Sequence, residues 1–280
     1  MRELAGRVAV VTGGGSGIGS ALSRACAGRG MRVAVADVEE AAAEDVARAI
    51  CDQGGEAFAC ALDVRSRSEI ERLADEVEKK FGVCHLLCNN AGVMVTRPML
   101  ELEEKDWEWS LAVNLWGSIH AVSVFLPRMI ASGEEGHVLN TASIAGLAAI
   151  SHLDLGAYTT TKFALVGYSE YLRAELESMG APIGVSVVCP GAVRTRIAES
   201  ERNRPSELDT GQGGRPSDAD PNADSVPGRQ TPEEAAEWIL AGVEENDAWI
   251  LTHPEMKPVI EERMQALLGA FDTAAARRER

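Results

Sequence analysis

The chain has 280 residues, enough for one large domain or for two small ones at the usual ~100–200 residues each. Hydrophobic residues make up 45% of it and aromatic residues only 5%, so a sizeable core packed mainly from aliphatic side chains is expected. The balance of 27 basic against 43 acidic residues gives a formal charge of −16, a surface that repels phosphate backbones and anionic lipid and so excludes nucleic acid and membrane as favoured partners.

In chain order, the first predicted strand is "RVAVVT" (7–12), followed by a glycine-rich turn and a helix over 17–30. "RVAVAD" (32–37) and a helix over 39–53 come next, then "AFACAL" (57–62) and a helix over 66–82. "HLLCN" (85–89) leads to a long helical stretch over 103–132, and "GHVLNTAS" (136–143) to a helix over 157–179. "GVSVVCP" (184–190) precedes an irregular segment; a helix over 231–246, the strand "AWILT" (248–252) and a last helix over 255–271 follow. The strand runs are apolar almost throughout, as strands covered on both faces should be. Strand then helix, repeated about six times, predicts an α/β fold: a doubly wound, Rossmann-like parallel sheet of about seven strands, one domain over 1–280.

The segment "NRPSELDTGQGGRPSDADPNADSVPGRQ" (203–230) is rich in Gly, Pro, Ser and Asp and has no aromatic residue. It holds too little apolar surface to offset ordering, so a mobile substrate loop over about 197–230 is expected, placed to act as a lid. The next helix starts at "TPEE", with Thr231 as N-cap, Pro232 in the first turn and Glu234 completing a capping box. Cys26, Cys51, Cys60, Cys84, Cys88 and Cys189 lie among apolar neighbours and form no C-x-x-C, which reads as buried thiols in a reducing cytosol. "MRELAGRVAVVTGGG" lacks a signal-peptide core, and no unbroken apolar run approaches the ~20 residues of a bilayer span. A cytoplasmic protein is expected. No pair of histidines has metal-ligand spacing, so no metal is expected.

Gly13, Gly17 and Gly19 between the first strand and helix form G-x-x-x-G-x-G. Small residues permit a tight turn there, and the amides near Gly17 and Ile18 open a helix towards a pyrophosphate. Asp37 ends the second strand, where a carboxylate accepts both hydroxyls of an adenosine ribose and repels a 2′-phosphate. Ser16 and Val38 offer no cation for such a phosphate. The cofactor expected is therefore NAD rather than NADP.

The full set of motifs resembles the short-chain dehydrogenase/reductase family. "TGGGSGIG" (12–19), "DV" (63–64), "NNAG" (89–92), Asn114 in "VNLWG", Ser143 in "TASIAG", Tyr158 and Lys162 as Y-x-x-x-K, and "PGAVRT" (190–195) occur in order over about residues 5–200. The resemblance implies that Tyr158 donates a proton in reduction and accepts one in oxidation, with Lys162 one turn on drawing the phenol's pKa down and bonding the nicotinamide ribose. It implies that Ser143 holds the substrate oxygen and Asn114 steadies a water in a proton relay. Ser16, Gly17, Ile18, Asp63, Val64, Asn90, Gly92, Val193 and Thr195 would complete the cofactor site.

Ser143 and Tyr158 lie fifteen positions apart, slightly more than is usual in that family, and the extra length falls in "LAAISHLDLG". His152 there is a candidate pocket residue, although a lone loop histidine is more often merely hydrogen-bonded. Met94, Val95, Ile144, Ala145, Leu147, Leu153 and Ile197 are expected pocket walls, suited to an apolar alcohol or ketone, cyclic, steroid or terpenoid. The reading is an NAD-dependent oxidoreductase interconverting a secondary alcohol and a ketone. The alternatives are an NADP-dependent carbonyl reductase and a non-catalytic dinucleotide-binding sensor. A homodimer or homotetramer is expected through the helices at 103–132 and 157–179.

Overall fold

The structure is a computed structural model that describes residues 1, 3–150, 153–211 and 228–278. Seven strands form one parallel sheet: β1 (Val8–Thr12), β2 (Arg32–Asp37), β3 (Glu56–Ala61), β4 (Leu86–Asn89), β5 (Gly136–Thr141), β6 (Ile183–Val188) and β7 (Trp249–Ile250). Their order is β3-β2-β1-β4-β5-β6-β7, as the doubly wound reading expects. In register, Val10 lies beside Ala34 on β2 and Leu87 on β4. Along β1, Val8 and Val10 enter one core while Ala9 and Val11 enter the other, all fully buried. That two-sided burial is why the strands read as continuous apolar runs.

One face is covered by α1 (Gly17–Gly28), α2 (Glu40–Asp52) and, later in the chain, α7 (Pro232–Glu245). The other carries α3 (Arg67–Phe81), α4 (Glu104–Leu111), α5 (Gly117–Ser132) and α6 (Gly156–Met179). A π-helical turn, Ala112–Trp116, joins α4 to α5. The stretch Glu104–Ser132 is long and apolar enough to cross a membrane by length and composition, although no unbroken apolar run marks it. Here 61% of its apolar window is buried in the protein, and Trp109, Phe125 and Met129 sit in the core beneath the sheet.

Thr231 caps α7 as expected: its Oγ1 accepts from the Glu234 amide at 3.1 Å, and the Glu234 carboxylate accepts from the Thr231 amide at 2.8 Å. The start of the expected loop is folded, with 3-10 turns at Ile197–Asn203 and Ser206–Leu208; residues 212–227 lie outside the described residues. The last helix, α8 (Lys257–Arg278), is longer than expected and has no buried residue. Five cysteines are buried, but Cys51 is exposed at the end of α2, against the expectation for all six. Cys51 follows the buried Ile50 but falls on the solvent-facing side of the amphipathic α2.

Candidate active site

The carboxyl ends of the strands open into a cleft of about 1250 Å³. After β1 the chain turns through Gly13 and Gly17, whose φ values of 63° and 50° are ones that side-chain-bearing residues rarely adopt. A Cβ on Gly13 would stand 2.8 Å from Ala91 Cα, and one on Gly17 would stand 2.9 Å from Thr195. Gly19 is not in the cleft; it lies beneath the turn, where a Cβ would collide with the Gly13 carbonyl. Asn90 closes the back of the turn, its Nδ2 donating to the carbonyls of Thr12 and Gly13 at 3.2 Å each. Ser16 caps α1 in extended conformation with no side-chain cap bond, so the first amides of that helix are left for an anion.

Asp37 ends β2 in the cleft wall. Its carboxylate accepts from the amides of Gly15 (2.8 Å) and Glu39 (2.9 Å). Burial raises its pKa, against those bonds, which lower it. Beyond it, the expectation of no nearby cation is corrected: Arg202 and Arg196 approach through Glu39, at 2.7 and 3.6 Å. Asp63 is in the cleft with its carboxylate 2.7 Å from Arg65, and Val64 packs where a Cβ on Gly117 would be 2.8 Å away.

Tyr158 and Lys162 lie on the buried face of α6, one turn apart. The threonines between them are accommodated by bonds back into the helix, Thr160 Oγ1 donating to the Gly156 carbonyl at 2.9 Å and Thr161 Oγ1 to that of Tyr158 at 2.7 Å. Ser143, in extended backbone just after β5, lines the cleft beside Tyr158; its Oγ accepts from the Ala145 amide at 3.2 Å and donates to the Pro190 carbonyl at 3.5 Å. Lys162 Nζ donates to the Thr141 carbonyl at 2.7 Å and stands 5.4 Å from the Tyr158 ring centroid. Here the electrostatics depart from expectation. Burial pushes the phenol up to about 12, with Ser143 opposing it, and burial pushes Lys162 down to about 8. Desolvation dominates, and the Lys162 ammonium is already turned towards the Thr141 carbonyl.

Asn114 is fully buried in the π-helical turn and does not line the cleft. Its Oδ1 accepts from the Val93 amide at 2.8 Å, and its Nδ2 donates to the Val93 carbonyl at 2.9 Å and to Thr161 Oγ1 at 3.1 Å. Both ends of the side chain are engaged, so a water held there would meet the main chain instead. Gly92 sits between Asn114 and Lys162, its missing Cβ 3.4 Å from Asn114 Oδ1 and 3.6 Å from Lys162 Nζ.

Val193 and Thr195 line the cleft after β6, as do Ile18, Met94, Ile144, Ala145, Leu153 and Ile197. Val95 and Leu147 do not: Val95 belongs to the core beneath the sheet, and Leu147 packs beside α6 and β6. Alternation along the extended segment turns Met94 to the cleft and Val95 away. His152 lies outside the described residues.

His253 was missed. Its Nδ1 accepts from the Gly191 amide at 3.0 Å, and its Nε2 donates to the Ala192 carbonyl at 3.1 Å, holding the "PGAVRT" turn from beneath. A histidine just past the last strand was its only signal. Ser200 was missed as well; its Oγ accepts from the Met94 amide at 3.0 Å and ties the 197–203 turn across the cleft.

Residues 7–206 match the short chain dehydrogenase family, and the chain belongs to that family of oxidoreductases. A C alpha-dehydrogenase of Sphingobium sp. is 34% identical over 278 residues, covering 96% of this chain and 88% of the relative. A short-chain dehydrogenase/reductase from Burkholderia phymatum, solved in complex with NAD, is 34% identical with a TM-score of 0.89 over 95% of this chain and 96% of its own. A metagenomic short-chain oxidoreductase in complex with NADP is 35% identical with a TM-score of 0.63, over 67% and 83%. The uncapped start of α1, the two left-handed glycines and the Asp37 carboxylate fit a nicotinamide dinucleotide in this cleft.

Proposed function

We propose that this protein is an NAD-dependent oxidoreductase interconverting a secondary alcohol and a ketone, with Tyr158 as acid and base. One observation carries the reading: Ser143, Tyr158 and the buried Lys162 converge in one cleft with the glycine-rich turn. A bound nicotinamide would supply or take up hydride at C4 and, when oxidised, bring a positive ring charge to the site. The rest falls to the chain. The hydroxyls of Ser143 and Tyr158 hold the substrate oxygen and so fix the carbon that reacts. Tyr158 gives that oxygen a proton in reduction and removes one in oxidation. A phenol at about 12 is an adequate donor; Lys162, at about 8, exchanges protons near neutrality and can refill it. Asn114 acts as a positioning residue, fixing Val93 and Thr161 around the lysine.

Met94, Ile144, Leu153 and Ile197 favour an apolar alcohol. In Tyr158→Phe, turnover on any accepted alcohol should fall about 10²- to 10⁴-fold while NAD⁺ binding, read by calorimetry, persists. Near-native rates in that variant would discard the acid/base role. Screening alcohols with NAD⁺ for NADH absorbance separates this reading from a sensor, which would bind the dinucleotide and reduce none.

The NADP-dependent reductase keeps a place because Arg65, Arg196 and Arg202 line the same cleft. We also infer a homodimer or homotetramer through α4–α5 and α6, on which Trp116 and Tyr171 are 52% and 74% exposed. A monomer in sedimentation equilibrium at micromolar concentration would refute it.

A further inference from the structure

The cation that a 2′-phosphate would need is built into this cleft and is held out of use. Arg202 Nε and Nη2 donate to Glu39 Oε1 at 3.0 and 2.7 Å, and its Nη1 donates to the carbonyls of Arg196 and Glu199 at 3.0 and 2.9 Å. Asn203 Nδ2 adds a bond to the same Glu39 oxygen at 3.0 Å. Arg196 lies 3.6 Å from the other. Glu39 is two residues past Asp37 and donates its own amide to the Asp37 carboxylate. Arg202 is close enough to Asp37 to act on its charge, and all three side chains line the cleft where the ribose would lie.

We propose that Glu39 is the residue that selects NAD over NADP, by occupying Arg202 and adding a second negative charge beside Asp37. This rests on the NAD reading above. A 2′-phosphate carries about −1.5 to −2 charges and is held by charge-assisted bonds, for which a planar guanidinium is the best donor. In the native chain the Arg202 donors facing Glu39 are all spent, and two carboxylates stand where the phosphate would go. Removing the charge at position 39 leaves Arg202 in place, on the 197–203 turn, with its fork available. Asp37 alone is a weaker barrier, because its two oxygens are already partly neutralised by backbone amides.

The test uses the full chain and calorimetric titration of NAD⁺ and NADP⁺ into the native protein, Glu39→Gln and Glu39→Gln/Arg202→Met. The native protein should bind NAD⁺ more tightly. In Glu39→Gln the ratio of NADP⁺ to NAD⁺ affinity should rise about tenfold, the worth of one charge-assisted contact, and adding Arg202→Met should return it to the native ratio. If Glu39→Gln weakens both cofactors alike, Glu39 only latches the 197–203 turn and the proposal is wrong. If the double variant keeps the raised ratio, Arg202 is not the phosphate's partner and the proposal is equally wrong. Native protein that binds NADP⁺ as tightly as NAD⁺ overturns the NAD reading itself, a result distinct from either failure.

Discussion

Lys162 is a charge kept in a place that works against folding. It is 2% exposed, bonds a carbonyl rather than a carboxylate, and has its pKa lowered from 10.5 to about 8 by burial. A folded pKa below the unfolded one means that the unfolded chain binds more protons between those values. Stability therefore rises as pH climbs from about 8 to 10.5, and the penalty is fully present below about 8. The shift corresponds to about 3 kcal/mol, and losing the bond to Thr141 gives back about 1 kcal/mol. Lys162→Met should accordingly be more stable than the native protein by about 2 kcal/mol at pH 7 in the absence of cofactor, and inactive. Urea unfolding at pH 7 and pH 10 checks both halves: the advantage should shrink or vanish at the higher pH. A variant less stable at pH 7 would mean that the ammonium is better solvated than its surroundings imply.

At the scale of elements, the turn after β6 is fixed to the rest by a buried ion cluster. Asp106, fully buried in the first turn of α4, accepts from Arg97 Nη1 at 3.2 Å and from Arg204 Nη2 at 2.8 Å. Arg204 also pairs with Glu201 and lies 4.3 Å over the ring of Trp109. Replacing one partner of such a cluster leaves the others charged and dry. Asp106→Asn should destabilise the fold by about 3 kcal/mol, seen as a lower urea midpoint with unchanged slope. A shift within about 0.5 kcal/mol would mean that Glu201 alone satisfies Arg204. None of this was legible beforehand. Asp106 and Arg204 are 98 positions apart, and Glu39 and Arg202 are 163 apart, so no local pattern links them. Gly13, Ser143, Tyr158 and Lys162 could be found because each belongs to a short motif at the end of a strand or on one face of a helix. The strands were legible for a similar reason, since burial on both faces writes itself into every residue of β1 and β2. The pocket walls were mostly legible, since five of the seven apolar residues expected there line the cleft, but nothing local tells that Met94 faces the cleft and Val95 the core.

For the molecule as a whole, the sheet order sets where chemistry happens. The chain runs outward from β1 to β3, then returns to β4 on the other side, so the loops after β1 and β4 part and leave a crevice at their carboxyl ends. Everything proposed to react or bind lies along that edge, while the opposite edge is free to serve stability alone. His137 stands at that opposite end, at the start of β5. It is fully buried, its Nε2 is 2.8 Å from Ser186 Oγ on β6, and burial pushes its pKa from 6.5 down to about 3. In the unfolded chain it protonates near 6.5, so its contribution to stability is complete above that value and is lost as pH falls towards about 3. The full shift corresponds to about 5 kcal/mol, a large share of what holds a domain of this kind together. His137→Gln, which keeps a polar end near Ser186 without a titrating ring, should flatten the acid limb. Thermal unfolding at pH 7 and pH 4.5 should show a native protein that loses far more stability than the variant between the two. Equal losses in both would assign acid unfolding to the carboxylates of the surface, and would make the buried imidazole a bystander.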